Sequence, residues 1–194
     1  QAQGQLALYR EFERQGIMRM IRTAADLKRW KSEWNANPAA TPLGYVLLME
    51  GGDPIVDPEQ ARSWFDDGLR MVGLAHYGPS QYAYGTASAG PITARGKELL
   101  KVMDDVGMIQ DMSHLTDQSF YEALDLFQGP IFASHSNCRA LVPGDRQITD
   151  DMIKRMVERD AVIGAVFDAW MLQPNWERGV TTNENVRIAN VVDH

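Results

Sequence analysis

The sequence predicts an α/β fold of the (β/α)8 TIM-barrel class, present as a fragment covering about five central strands. Three observations lead there. Four short apolar runs each end on a residue able to bind a metal or polarise a carbonyl. They are Tyr45-Val46-Leu47-Leu48-Met49-Glu50, Met71-Val72-Gly73-Leu74-Ala75-His76, Met108-Ile109-Gln110-Asp111-Met112-Ser113-His114 and Pro130-Ile131-Phe132-Ala133-Ser134-His135. Helix-length segments separate the runs with no hairpin signal, which implies a parallel sheet. Three of the four histidines fall at these run ends, where a parallel barrel keeps its working side chains.

Residues 1 to about 34 read as mostly helix, with Leu6, Leu8, Tyr9, Phe12, Ile17, Met18, Met20 and Ile21 as apolar positions. Thr23 is placed to cap a second helix through Trp30. Asn35 to Pro42 is a turn-rich break. The first strand, Tyr45 to Glu50, is apolar without alternation, as a strand buried on both faces should be. Asp57-Pro58-Glu59 opens a helix to about Asp67, with proline at its first position beside two acids. A second strand begins at Met71. Tyr77 to Pro91 is too long for a simple βα connection, and loops of that length are usually functional or disordered.

Thr93 to Val106 is helical, and Gly107 stops it. Met108 to Ser113 is strand, Thr116 to Phe127 helix, Pro130 to Ser134 strand, Asp150 to Arg159 helix and Ala161 to Phe167 a fifth strand. Val186, Ala189 and Val192 recur at helical spacing in the last segment, with Asn183 or Asn185 as the expected cap. No Gly-x-Gly-x-x-Gly follows any strand, which removes the best-marked doubly wound alternative.

Length is consistent with one domain, and 44% apolar and 23% charged residues are ordinary for a globular chain. A net charge of −7 argues against nonspecific nucleic-acid binding, which needs a basic face. Cys138 is the single cysteine, so no internal disulfide framework exists. That fits a reducing compartment or a secreted protein relying on its core. The chain begins at Gln1 and its last helix lacks a closing signal, so residues 1–194 are expected to be a partial hydrolase barrel domain, short at both ends. Five strands of an eight-stranded barrel leave two open edges, and an isolated 1–194 polypeptide is expected to aggregate or stay unfolded.

Glu50 ends an apolar strand, where a carboxylate either caps the next turn or needs a partner. His114 and His135 end consecutive strands, neighbours about 5 Å apart in a parallel barrel, and can share one ion with it. Zinc suits imidazole and carboxylate ligands. Ser113 and Ser134 precede the two histidines. Either hydroxyl can orient an imidazole, but small residues facing a crowded interior are the expectation. His76 is a ligand, a donor to a developing oxyanion or a surface histidine. Arg146 either grips a substrate carboxylate or forms a surface ion pair with Asp145 or Asp150. Cys138 is expected to be a packing residue.

Five strings, in order over roughly residues 44 to 167, resemble the membrane (renal-type) dipeptidase family, zinc metallopeptidases of the amidohydrolase type. They are Glu50-Gly51-Gly52, Gly73-Leu74-Ala75-His76, Asp111-Met112-Ser113-His114, Ser134-His135-Ser136 and Asp145-Arg146-Gln147-Ile148-Thr149-Asp150-Asp151. Val192-Asp193-His194 is similar to that family's next helix. The resemblance implies a (β/α)8 barrel with two zinc ions, hydrolysing dipeptides by a metal-bridging hydroxide. Glu50 then matches the bridging carboxylate, and His114 and His135 two ligands of one ion. His76 matches the catalytic and substrate-contacting histidine, and Arg146 the arginine that binds the substrate carboxylate.

The chain departs from the family pattern at several points. The early-strand His-x-Asp has no counterpart, and the late-strand aspartate would lie past His194. Asp53 stands where the family often has histidine, and Asp168-Ala169-Trp170 is not its usual pattern. These differences leave substrate preference open; the resemblance implies a dipeptide as partner, with a homodimer allowed and no nucleic acid expected. The rival readings are another barrel amidohydrolase, acting on N-acyl-amino acids or lactams, and a metal-binding homologue without catalysis.

Overall fold

Strand and helix alternate along the chain in the computed structural model, which describes residues 1–194. The first half runs α1 (Ala2–Arg14), β1 (Met18–Met20), α2 (Ala24–Ala36), β2 (Leu43–Tyr45), β3 (Leu47–Met49), α3 (Gln60–Asp66) and β4 (Leu69–Gly73). The second half runs α4 (Ala94–Val106), β5 (Ile109–Asp111), α5 (Asp117–Leu126), β6 (Ile131–Ala133), α6 (Asp150–Glu158), β7 (Val162–Ile163), α7 (Ala169–Leu172) and α8 (Ile188–Asp193).

All strand pairings are parallel, and the main sheet has the order β3-β4-β5-β6-β7. Spatial order thus follows chain order, as in a barrel wall. A doubly wound sheet reverses direction at a switch point. β1 pairs in parallel with β2, which Val46 alone separates from β3.

Threonines start the helices. Thr23, Thr93, Thr116 and Thr149 each accept a hydrogen bond from the backbone N–H three residues on, opening α2, α4, α5 and α6. Gly107, at φ +78°, ends α4 as expected. The core lies between the sheet and these helices. Trp64 of α3, Leu99 and Met103 of α4, Phe120 of α5 and Met156 of α6 pack with Leu69, Val72 and Ile131. No helix is long and apolar enough to cross a membrane.

Five expectations change. The strand expected from Tyr45 to Glu50 is divided at Val46, which is 39% exposed: Tyr45 ends β2 and Leu47–Met49 form β3, in different sheets. Ile17 to Ile21 is not helix: Gly16 adopts φ +72°, and Gly16 N–H and Ile17 N–H bond to Glu13 and Phe12 carbonyls, closing α1. Met18–Met20 is then free to pair with Leu43–Tyr45. The fifth strand is two residues long, not seven. Gly164 crosses the Ser134 carbonyl so closely that a Cβ would lie 2.3 Å from it. Beyond that crossing, the backbone groups of Val166 are taken by the Asn137 amide. Asp57 to Glu59 form a turn before α3 rather than its first residues. The last helix starts after Arg187, where Asn190 Oδ1 accepts the Arg187 N–H, while Asn183 begins a separate turn.

Candidate metal centre

The carboxyl ends of β3, β4, β5 and β6 bring Glu50, His76, His114 and His135 together. Each functional side chain comes one to three residues after its strand ends, so the chain can turn toward a shared point. Gly51 takes φ +82° immediately after Glu50, and His114 itself has φ +69°. Left-handed backbone at a non-glycine residue costs on the order of 1 kcal/mol and tends to mark functional positions.

Glu50 Oε1 lies 2.9 Å from His135 Nε2 and 3.1 Å from His114 Nε2, and the two nitrogens are 3.1 Å apart. Two ring nitrogens that close share at most one proton, and a carboxylate supplies none. A cation among them pairs with all three. Donors held about 2.0–2.1 Å from a tetrahedral zinc sit about 3.3 Å from each other, so these spacings fit that ion. Glu50, His114 and His135 are the group whose ligand atoms converge this way.

Protonation states agree with ligation. The His114 and His135 imidazoles, 3.1 and 2.9 Å away, hold the Glu50 carboxyl far below the usual carboxylate range. Burial pushes His114 down, against the upward pull of Glu50. A carboxylate and a neutral imidazole are the forms a metal requires.

His76 stands apart. Its Nε2 is 3.7 Å from Glu50 Oε1, beyond hydrogen-bond range, and its side chain is 52% exposed. Its ring packs 4.4 Å from that of His114 and meets Tyr77 edge-on. Arg146 is not in a surface ion pair: it is 4% exposed and donates from Nη2 to the His135 carbonyl at 2.8 Å. Asp145 instead accepts the Ala87 N–H. Arg146 Nη1 is buried with no partner in the protein, and burial lowers the guanidinium pKa against the pull of Tyr77 and Glu50.

Behind the ligands lie Thr86 and Asp111, given no role by the sequence, and the Ser134 hydroxyl that the sequence offered as a means of orienting an imidazole. Thr86 Oγ1 is 3.0 Å from His114 Nδ1, and Ser134 Oγ is 2.6 Å from His135 Nδ1. Ser134 therefore does contact an imidazole rather than only filling space. Asp111 Oδ2 accepts from the Ser134 hydroxyl. The 77–91 loop is built into the core, with Tyr82 and Ala83 fully buried. Its length was the only signal for Thr86. Asp53 ties the turn after Glu50 to that loop through Gln81 N–H at 3.1 Å.

Asp168 pairs with Arg178. Cys138 packs against His194 with its thiol pKa raised by burial, outside the ligand group. A cavity of about 500 Å³ between α1 and β3 includes Glu50 but none of the histidines.

The model of the membrane dipeptidase family, peptidase family M19, matches residues 3–194. An uncharacterized protein of Acinetobacter calcoaceticus is 31% identical over 76% of this chain and 50% of its own length. A dipeptidase of Claviceps purpurea is 31% identical over 66% of this chain and 29% of its own. The fold is that of a metallopeptidase from Rhodobacter sphaeroides solved with a phosphinate mimic of L-Ala-D-Ala. That structure aligns over 96% of this chain and 55% of its own, with TM-score 0.77 and 23% identity. The chain thus spans about half the length of the first of these curated relatives. With Glu50, His114 and His135 converging at the strand ends and the family model matched almost from end to end, the chain belongs to the membrane dipeptidase family.

Proposed function

We propose that the protein hydrolyses dipeptides with zinc held by Glu50, His114 and His135, residues 1–194 forming part of the catalytic barrel. One observation carries this reading: an oxygen and two imidazole nitrogens within 3.1 Å of one another at the strand ends. Glu50, with its side chain partly exposed, would also be available to a second zinc ion. Bound zinc supplies a water of lowered pKa and polarises the scissile carbonyl.

The chain's own residues do the rest. Glu50 stays ionised and burial favours the neutral imidazole of His114, the forms that a metal ion would need. His76, half exposed beside them, donates a hydrogen bond to the carbonyl oxygen as negative charge develops there. Arg146, charged and with Nη1 unpaired, binds the substrate carboxylate.

Zinc content of the purified protein, with hydrolysis of a dipeptide panel, tests the proposal. Glu50→Ala, His114→Ala and His135→Ala should each lose zinc. His76→Ala should keep it and lower kcat by about 100- to 1000-fold. Zinc content unchanged across the three ligand variants would refute the assignment.

A further inference from the structure

We propose that the buried carboxylate of Asp111 sets the tautomer of His135 through the Ser134 hydroxyl. Asp111 thereby decides whether Nε2 meets the metal position as a lone pair or as an N–H. The inference rests on the metal-centre reading above and assigns a positioning role to two residues outside it.

Partners force the proton count. Asp111 is 1% exposed, and its Oδ1 accepts the Ser113 and Ser134 backbone N–H groups, each at 3.0 Å. Its Oδ2 has one partner, Ser134 Oγ at 2.5 Å. Ser134 Oγ is also 2.6 Å from His135 Nδ1 and 3.3 Å from Ser113 Oγ. A hydroxyl has one proton to give, and a carboxylate only accepts.

The charged, buried acceptor takes that proton, because hydroxyl-to-carboxylate bonds are the short, strong ones. Ser134 Oγ must then accept from His135 Nδ1–H, and Nε2 is left as a lone pair facing Glu50. Ser113 completes the set: its Oγ accepts the His135 backbone N–H at 3.2 Å and donates to Ser134. His114 has no such anchor. Thr86 Oγ1 sits 3.0 Å from its Nδ1 and 3.4 Å from its carbonyl, with no carboxylate behind.

Asp111→Asn reverses this chain at constant shape. The two backbone N–H groups require an oxygen at the Oδ1 position, so the amide nitrogen falls at Oδ2 and donates to Ser134. The serine proton is released to Nδ1, and His135 presents Nε2–H to the ion. Ser134→Ala removes the link without reversing it.

The test uses the intact protein, with two readouts besides activity. Long-range ¹H–¹⁵N spectra of the zinc-free protein at about pH 9, above the usual imidazole range, report the His135 tautomer. Competition against a chromophoric chelator reports zinc affinity. Wild type should show Nδ1–H. Asp111→Asn should show Nε2–H with zinc affinity lower by roughly 10- to 100-fold. Ser134→Ala should give a tautomer mixture and a smaller loss.

A wild-type His135 carrying its proton on Nε2 would overturn the proposal. So would Asp111→Asn with the wild-type tautomer and zinc affinity. Should Asp111→Asn fail to fold, the wild-type and Ser134→Ala spectra decide. A wild-type protein that binds no zinc refutes the metal centre, and the zinc-free spectra still decide the proton chain.

Discussion

Gly85→Ala asks whether the 77–91 loop is clamped to the end of β4 by direct backbone contact. A Cβ at Gly85 would lie 2.1 Å from the His76 carbonyl oxygen, 2.9 Å from its carbon and 3.1 Å from Ala75 Cβ. Reaching even a 3.0 Å approach demands a retreat of about 0.9 Å. The same carbonyl accepts the Thr86 N–H at 3.0 Å, a bond that such a retreat stretches to about 3.9 Å and breaks. Gly85 N–H to Gly78 and Gly78 N–H to Thr86, at 2.9 and 2.8 Å, are strained with it.

At about 1 kcal/mol per backbone bond, losing two or three costs about 2–3 kcal/mol. Thr86 also leaves His114, so zinc binding weakens. Urea unfolding in the presence of chelator measures the first effect, and chelator competition the second. Gly4→Ala, in α1 with nothing within 4 Å of the added methyl, is the control. It should gain about 0.5–1 kcal/mol from helix propensity. A Gly85→Ala protein within about 0.5 kcal/mol of wild type, with unchanged zinc affinity, would show that the loop is not clamped there.

Two further substitutions probe the scaffold. Asp117 receives both guanidinium nitrogens of Arg139, at 2.7 and 2.6 Å, which lowers its carboxyl pKa. The Asp117 side chain is 52% exposed, so solvent screening leaves about 0.5–1 kcal/mol. A depressed folded pKa stabilises fully above the unfolded value near 4, and the gain is lost as pH falls through the lower folded value. The stability gap between wild type and Asp117→Asn should therefore be present at pH 7 and shrink as the pH falls below about 4. A gap constant over that range would rule the pair out as its source. Phe120→Ala, at a position 1% exposed between α5 and the sheet, should cost about 3–5 kcal/mol in urea unfolding. A loss below about 1 kcal/mol would mean the site collapses around the gap.

Strand-end chemistry was legible because a buried parallel strand is a short apolar run, and a Glu or His closing it is conspicuous. Glu50, His114 and His135 stood out for that reason. Adjacency of β5 and β6 brings the two histidines together, but β4 lies between β3 and β5, so the approach of Glu50 was decided by tertiary structure. Helix starts at Thr23, Thr93 and Thr116 were legible because capping is local chemistry, and Thr149 caps the helix expected from Asp150 in the same way. Met18 to Met20 was not. Apolar residues at 17, 18, 20 and 21 satisfy a helical period, and only the turn at Gly16 and pairing with Leu43–Tyr45 make that stretch a strand. The early end of β7 depends on Gly164 meeting a distant carbonyl and on Asn137 capturing Val166.

Local pattern determined which residues could hold a metal, because strand ends and cap residues are written over a few neighbouring positions. Tertiary structure alone decided what stands behind them. Thr86 reaches His114 across 28 residues, Asp111 reaches Ser134 across 23, and Arg146 is drawn under His135 rather than out to solvent. Such pairings carry no sequence period, since they depend on where a folded loop and adjacent strand ends bring single hydroxyls and charges together.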